Sequence, residues 1–226
     1  MAKAVHDGHR QRLKARFLAE GIDSFQPHEI LELILFYGVP RVDTNEIAHH
    51  LIERFGSLAE VMDAPYEELL QVKGVTESAA ALLKLLPQAA RIYLTERHGG
   101  QEILNTPAKL GEYFVNRFVG ETSELVYLLC LDSSLNAISC TKITEGGVSG
   151  ATVAIREIVS LALRHNSAWV VLAHNHPRGL AAPSNEDVIA TRTIKKALAY
   201  LGVTLVDHII VSGKEYCSIQ ERYPEL

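Results

Sequence analysis

The sequence predicts a helical first part followed by a three-layer α/β second part. Three observations predict it. From Pro27 to Tyr93 almost every segment reads as a short helix, with apolar residues at helical spacing. After about residue 101, apolar strand-like runs alternate with helical ones, the pattern of an α/β layer structure. Between them His98-Gly99-Gly100 breaks a long helical pattern. The expected domains are therefore residues 1–100 and 101–226.

Taken in order, the start MAKAVHDGHRQRLKARFL carries a basic arm of Lys3, Arg10, Arg12, Lys14 and Arg16, with Asp7 as its acidic residue. It also reads as an amphipathic helix docking through Leu13, Phe17 and Leu18. HEILELILF has helical apolar spacing, and TNEIAHHLIERFG offers Thr44 or Asn45 as a cap and Gly56 as a stop. In the second part Thr106-Pro107-Ala108 opens a helix through Phe118, and SELVYLLCLD (123–132) is an apolar strand preceded by Glu124. A further strand covers residues 137–143, and Gly146, Gly147 and Gly150 mark a loop, the one hint of a substrate-lining segment. AIREIVSLAL reads as a helix whose stripe is Ile155, Ile158, Val159 and Ala162, leaving Glu157 outside it. Trp169 to Ala173 is a buried strand, a helix runs from Ser184 to about Leu201, and VDHIIV is another apolar strand.

Composition narrows the class. With 47% hydrophobic and 22% charged residues the chain is ordinary for a soluble globular protein. No run of eighteen apolar residues suggests a membrane span, and the basic start lacks the apolar stretch of a secretory signal, so no membrane partner is expected. Cys130, Cys140 and Cys217 are odd in number and widely spaced, which suits reduced thiols in a cytoplasm. Cys130 and Cys217 are expected in the core and Cys140 partly exposed. Residues 1–100 hold 11 basic and 14 acidic side chains and residues 101–226 hold 11 and 13, so neither part is a broadly basic nucleic-acid binder.

The chemistry concentrates in AHNHPRGLAAPSNED, residues 173–187. Side chains alternate along a strand, so His174 and His176 point the same way and Asn175 the other. Pro177 and Gly179 stop the strand, and Ser184-Asn185-Glu186-Asp187 opens the next helix, placing Asp187 on its first turn facing the strand end. Two imidazoles and one carboxylate leave a tetrahedral ion one open position, as catalytic zinc sites require. Ser184 and Asp187 also have the spacing of a capping box, which is compatible with metal binding by the aspartate.

The pattern His-x-His, seven residues, Ser, two residues, Asp resembles the JAMM motif of MPN/JAB metallopeptidase-like domains. HNHPRG, flanked by VVLAHNHP and LVDHIIV, resembles the RadC family (UPF0758-type), as do GHRQRLKARFL and the segment from His28 to Ala64. The resemblance implies an MPN/JAB-like, cytidine-deaminase-like α/β domain and zinc held by His174, His176 and Asp187. It further implies that Ser184 stabilises an oxyanion and that an upstream glutamate serves as general base. Glu124 is matched to that role, with Glu157 as its competitor. The activity implied is metal-dependent hydrolysis of a peptide or isopeptide bond in a peptide or protein substrate. His208, beside Asp207, is expected to be a satisfied core histidine, with a supporting place around the metal as the other reading.

The first part carries the competing reading. VKGVTESAA (72–80) resembles the second half of a helix-hairpin-helix element, whose exposed helix-terminal amides bind DNA phosphates. Gly74 is present, but Thr76 stands where the second glycine belongs and can cap the helix instead. The alternative is thus a DNA-associated repair or recombination protein, with the basic arm on phosphates and a structural metal domain. Nucleobase deamination is disfavoured. Those enzymes place a glutamate two residues after the first histidine ligand and add Cys-x-x-Cys; here His176 stands at that position and Cys-x-x-Cys is missing.

Overall fold

In a computed structural model the described residues are 2–40, 42–98, 103–145 and 151–226, with side chains for 8–40, 42–97, 103–143 and 155–226. The glycine loop expected at residues 146–150, Gly99-Gly100, and the side chains of Lys3 and Asp7 lie outside these. The chain separates into two compact units, Met1–Ala89 and Ala90–Leu226.

The first unit contains α1 (Ala2–Glu20), α2 (Pro27–Gly38), α3 (Asn45–Phe55), α4 (Leu58–Asp63), α5 (Tyr66–Leu69) and the start of α6 (Glu77–His98). Leu31, Leu35, Leu51, Val61, Leu69 and Leu83 are buried together, the inward stripes of successive helices. Local chemistry sets the ends. Gln26 and Glu29 form a capping box with Pro27 at the first position of α2. Neither Thr44 nor Asn45 caps α3 by its side chain; Asp43 Oδ1 accepts from Asn45 N, while Thr44 Oγ1 is turned to Glu32 O. Gly56, at φ +95°, closes α3 as expected.

Two cations of the basic arm, Arg10 and Arg16, turn inward, while Arg12 is exposed. Arg10 donates to the carbonyls of Phe36 and Val39 at the C-terminal end of α2 and of Val42 beyond it, and lies over the Phe36 ring. Arg16 pairs with both oxygens of Glu29, at 2.9 and 3.0 Å, and covers Phe25. Leu13 is buried as expected, but Phe17 is 38% and Leu18 82% exposed, so the docking stripe is narrower than expected and the guanidinium stems do part of its work. Thr76 Oγ1 accepts from Ala79 N at 3.1 Å and donates to Gly38 O at 3.1 Å, joining the start of α6 to the end of α2. A side chain at Gly38 would meet Ala79 Cα at 2.7 Å, so the two helix ends are in van der Waals contact. Gly74, at φ +90° against Ile47, supplies the turn before them.

The second unit contains the end of α6, then α7 (Pro107–Arg117), β1 (Leu125–Leu131), β2 (Ala137–Glu145), α8 (Ala151–Arg164), β3 (Trp169–Asn175), α9 (Asn185–Ala199), β4 (Thr204–Ser212), β5 (Glu215–Ser218) and α10 (Ile219–Arg222). The strands form one mixed sheet in the order β2-β1-β3-β4-β5, with only β3 and β4 parallel. Alternation sorts its two faces. Val126, Leu128, Val170 and Leu172 pack with Ile158 and Ala162 of α8 and Ile194 and Leu198 of α9. Leu125, Tyr127, Leu129, Val171 and Ala173 pack with Leu110 and Phe114 of α7. Helices thus cover both faces of the sheet, as the layered reading anticipates. Cys130 is buried, while Cys217 is half-buried like Cys140; all three are free thiols. Among the described residues no helix is long and apolar enough to cross a membrane.

Candidate metal centre

Each member of the site sits where a regular element ends. His174 is the sixth residue of β3 and lies opposite Val126 of β1, on the face covered by α8 and α9. His176 lies one residue past β3, yet His176 N still donates to Val211 O at 2.8 Å, which prolongs the β3–β4 ladder and keeps the ring on that face. The turn His176–Gly179 follows, held from β4 by a Ser212 Oγ bond to Gly179 O of 2.8 Å. Asp187 is the third residue of α9, with Ser184 as its N-cap.

These elements bring His174, His176 and Asp187 together, with one ligand-type atom of each within 4.8 Å of the others. His174 Nε2 stands 2.9 Å from His176 Nε2 and 3.4 Å from Asp187 Oδ1. His176 Nδ1 donates to Leu180 O at 2.9 Å, a carbonyl that can only accept, so a neutral His176 presents a bare lone pair at Nε2. Burial holds the His174 imidazole neutral, lowering its pKa to about 4 against the opposing pull of Asp187, with His176 lowering it further. Two imidazoles and a carboxylate oxygen converging at such distances could hold a metal ion.

Asp187 divides its carboxylate. Oδ2 accepts from Ser184 N at 2.8 Å and from Ser184 Oγ at 2.7 Å, while Ser184 Oγ accepts from Asp187 N at 3.1 Å. This is a capping box with aspartate in place of the usual glutamate. The cap and the cluster therefore use different oxygens of one side chain.

Glu124 is exposed, immediately before β1. It shares with His176 an open cleft of about 630 Å³, also lined by Thr122, Pro177, Arg178 and Gly179. Glu157 lies on α8 and is not among those lining residues. Asn175 faces away from the histidines, as alternation requires, and grips the backbone on both sides of Glu124. Its Oδ1 accepts from Leu125 N at 2.7 Å and its Nδ2 donates to Ser123 O at 3.0 Å.

Over residues 104–224 the chain matches the RadC-like JAB domain, and over residues 8–81 the UPF0758 N-terminal family. The chain belongs to the RadC family. Among its relatives, the UPF0758 protein FN0909 of Fusobacterium nucleatum is 32% identical over 98% of both chains. A UPF0758 protein of Psychrobacter cryohalolentis is 33% identical over 96% of both, and the UPF0758 protein PSHAa2643 of Pseudoalteromonas translucida is 31% identical over 94% of this chain and 95% of that one. The JAB-domain match of this RadC chain spans the whole sheet and every residue of the cluster.

Sequence reasoning did not find Thr191. It lies four residues after Asp187 on α9, the spacing at which a threonine hydroxyl reaches back to a carbonyl, and Thr191 Oγ1 donates to Asp187 O at 2.6 Å. His208, fully buried on β4, joins Thr191 to His174: its Nδ1 is 2.6 Å from Thr191 Oγ1 and its Nε2 2.9 Å from His174 Nδ1. It is a core histidine, as expected, and one of its two partners, His174, belongs to the cluster.

Proposed function

We propose that this RadC-family chain is a zinc-dependent, metallopeptidase-like hydrolase that cleaves a peptide or isopeptide bond. The convergence of His174 Nε2, His176 Nε2 and Asp187 Oδ1 carries this reading. Three residues of that kind would hold zinc with one position open, and zinc so held supplies Lewis acidity that polarises a carbonyl and acidifies water.

The remaining steps fall to the chain itself. Glu124, on the wall of the cleft that His176 lines, takes a proton from the water that attacks the amide carbon. As the carbon–nitrogen bond breaks, the same carboxyl returns the proton to the leaving amine. Asn175 holds the backbone at Ser123 and Leu125 and so limits where the Glu124 carboxylate can swing. The Ser184 hydroxyl donates to Asp187 Oδ2 at rest; rotated off that oxygen, it can donate to the tetrahedral oxyanion. The open cleft, with Thr122 and Arg178 at its wall, suits an extended chain better than a small enclosed metabolite.

In the same reading residues 101–226 form an MPN-type domain of cytidine-deaminase-like layering, and residues 1–100 a helix-hairpin-helix-like module that serves as scaffold or partner-recognition domain. A DNA-backbone role for that module is not favoured, because Arg10, Arg16 and the Thr76 hydroxyl already have partners inside it.

The test is the metal content of the purified protein beside His174→Ala and Asp187→Ala, followed by a peptide library with and without chelator. Stoichiometric zinc that both substitutions remove, with chelator-sensitive cleavage, is expected. An absence of zinc under metal-replete conditions would sink the mechanism.

A further inference from the structure

Thr191 and His208 lie behind the cluster and are not needed to hold an ion. Their hydrogen bonds nevertheless constrain where the protons on the ligand side can be. A threonine hydroxyl has one hydrogen, and Asp187 O, 2.6 Å away, has none to offer, so the Thr191 hydrogen occupies that bond. The 2.6 Å contact between Thr191 Oγ1 and His208 Nδ1 then needs its hydrogen from the ring. His208 is fully buried and, among the described residues, no carboxylate oxygen is bonded to its ring, so it carries one ring hydrogen only, at Nδ1. Its Nε2 is a lone pair, and the 2.9 Å contact with His174 Nδ1 is an N–H bond donated by His174. A neutral His174 with its hydrogen at Nδ1 has none at Nε2, the nitrogen that faces His176 and Asp187.

We infer that Thr191 and His208 are positioning residues, a buried relay that locks His174 in its Nδ1–H tautomer and so keeps Nε2 permanently bare for a metal ion. This rests on the metal-binding reading of the cluster and deepens it. The relay begins at the main chain of Asp187 and ends on the ring of His174, so it ties two of the three donor residues to one hydrogen-bond direction. Without it, His174 could place its hydrogen at Nε2 and satisfy itself against His176, 2.9 Å away, closing the site with an ordinary histidine pair.

The strand geometry explains how His208 reaches this position. β3 and β4 pair in parallel with Val170 opposite Leu205 but Val171 opposite Asp207, so Val206 is one extra residue in β4. Simple alternation from Leu205 would put His208 on the opposite face. The bulge reverses it, setting His208 opposite Leu172 on the His174 face and turning Asp207 to the other side, where it accepts from Ser218 Oγ and Gln220 N.

The test begins with the metal-free protein. Nitrogen-15 NMR of the imidazoles reads each tautomer directly, with His174 identified by comparison with His174→Ala. Wild type is expected to show His174 and His208 both as Nδ1–H. In Thr191→Val and His208→Leu, His174 is expected to shift toward Nε2–H, while His208→Gln, which keeps an acceptor near Nε2, restores Nδ1–H. Titration with zinc alone is expected to give affinities lower by roughly 10–100-fold in Thr191→Val and His208→Leu. His174 carrying its hydrogen at Nε2 in wild type, or remaining Nδ1–H with unchanged zinc affinity in both variants, would overturn the relay. Thr191→Val swaps a hydroxyl for a methyl, so it reports even if His208→Leu does not fold. If wild type takes up no zinc, the metal reading fails while the NMR arm still decides the tautomer.

Discussion

Ser184 and Asp187 are bonded three ways, and all the bonds to the carboxylate fall on one oxygen. Ser184 N and Oγ reach Oδ2 at 2.8 and 2.7 Å, whereas Oδ1 is the oxygen 3.4 Å from His174 Nε2. The cap of α9 thereby fixes the rotamer that aims Oδ1 at the histidines. Ser184→Ala is expected to destabilise the metal-free protein by about 1 kcal/mol, the usual cost of a lost serine cap, and to weaken zinc binding as well. Urea unfolding of the metal-free protein and zinc titration of the folded one separate the two effects.

Glu124→Gln keeps the shape of the cleft wall and removes the proposed base. It is expected to retain the zinc content of wild type and to lose hydrolysis by about 10²–10⁴-fold. Metal analysis and cleavage of any peptide found in the library check both halves. The same substitution at Glu157, which is not a cleft-lining residue, is expected to leave the rate unchanged.

Asn175 links the histidine strand to the backbone on both sides of Glu124, the proposed base. Asn175→Ala removes its bonds to Leu125 N and Ser123 O and leaves a buried donor unpaired, at an expected cost of about 1–3 kcal/mol. Because the proposed metal ligand His174 points to the other face of β3, zinc content is expected to hold while kcat falls more than KM rises. Steady-state kinetics on the folded fraction reads that split.

Glu29 gives the first unit an acid limb. Its bonds to Arg16, then that from Gln26 N, hold its carboxyl down at about 2, below its ordinary 4.5. A carboxyl depressed on folding stabilises fully above the unfolded value and loses that contribution as pH falls through the folded one. Stability is therefore expected to decline from about pH 4.5 toward 2 through this pair, and Arg16→Ala to flatten the decline. Acid titration followed by circular dichroism, on wild type and variant, shows it.

Arg10 distinguishes an internal from an external use of the basic arm. Arg10→Ala leaves the carbonyls of Phe36, Val39 and Val42 without their donor and is expected to destabilise the helical unit by about 1–3 kcal/mol. A steep salt-dependent DNA affinity that Arg10→Ala and Arg16→Ala abolish in still-folded protein would instead favour the phosphate-binding alternative. Fluorescence anisotropy on a DNA duplex at two salt concentrations decides it.

By itself the sequence determined the local parts. Strand alternation placed His174 on one face and Asn175 on the other, and the cap spacing placed Asp187 on the first turn of α9. Those signals depend only on residues a few positions apart, where backbone periodicity is fixed by covalent geometry. The tertiary structure decided what those residues meet. Only the β1–β3 pairing brings Asn175 to Ser123 and Leu125, fifty or so residues away. The direction of Arg10 and Arg16 likewise depended on where α2 packs, since a solvated and a docked basic helix have the same composition. The bulge at Val206 was the least legible feature. It turns on how two distant strands register, and it alone gives His208 the face on which His174 lies.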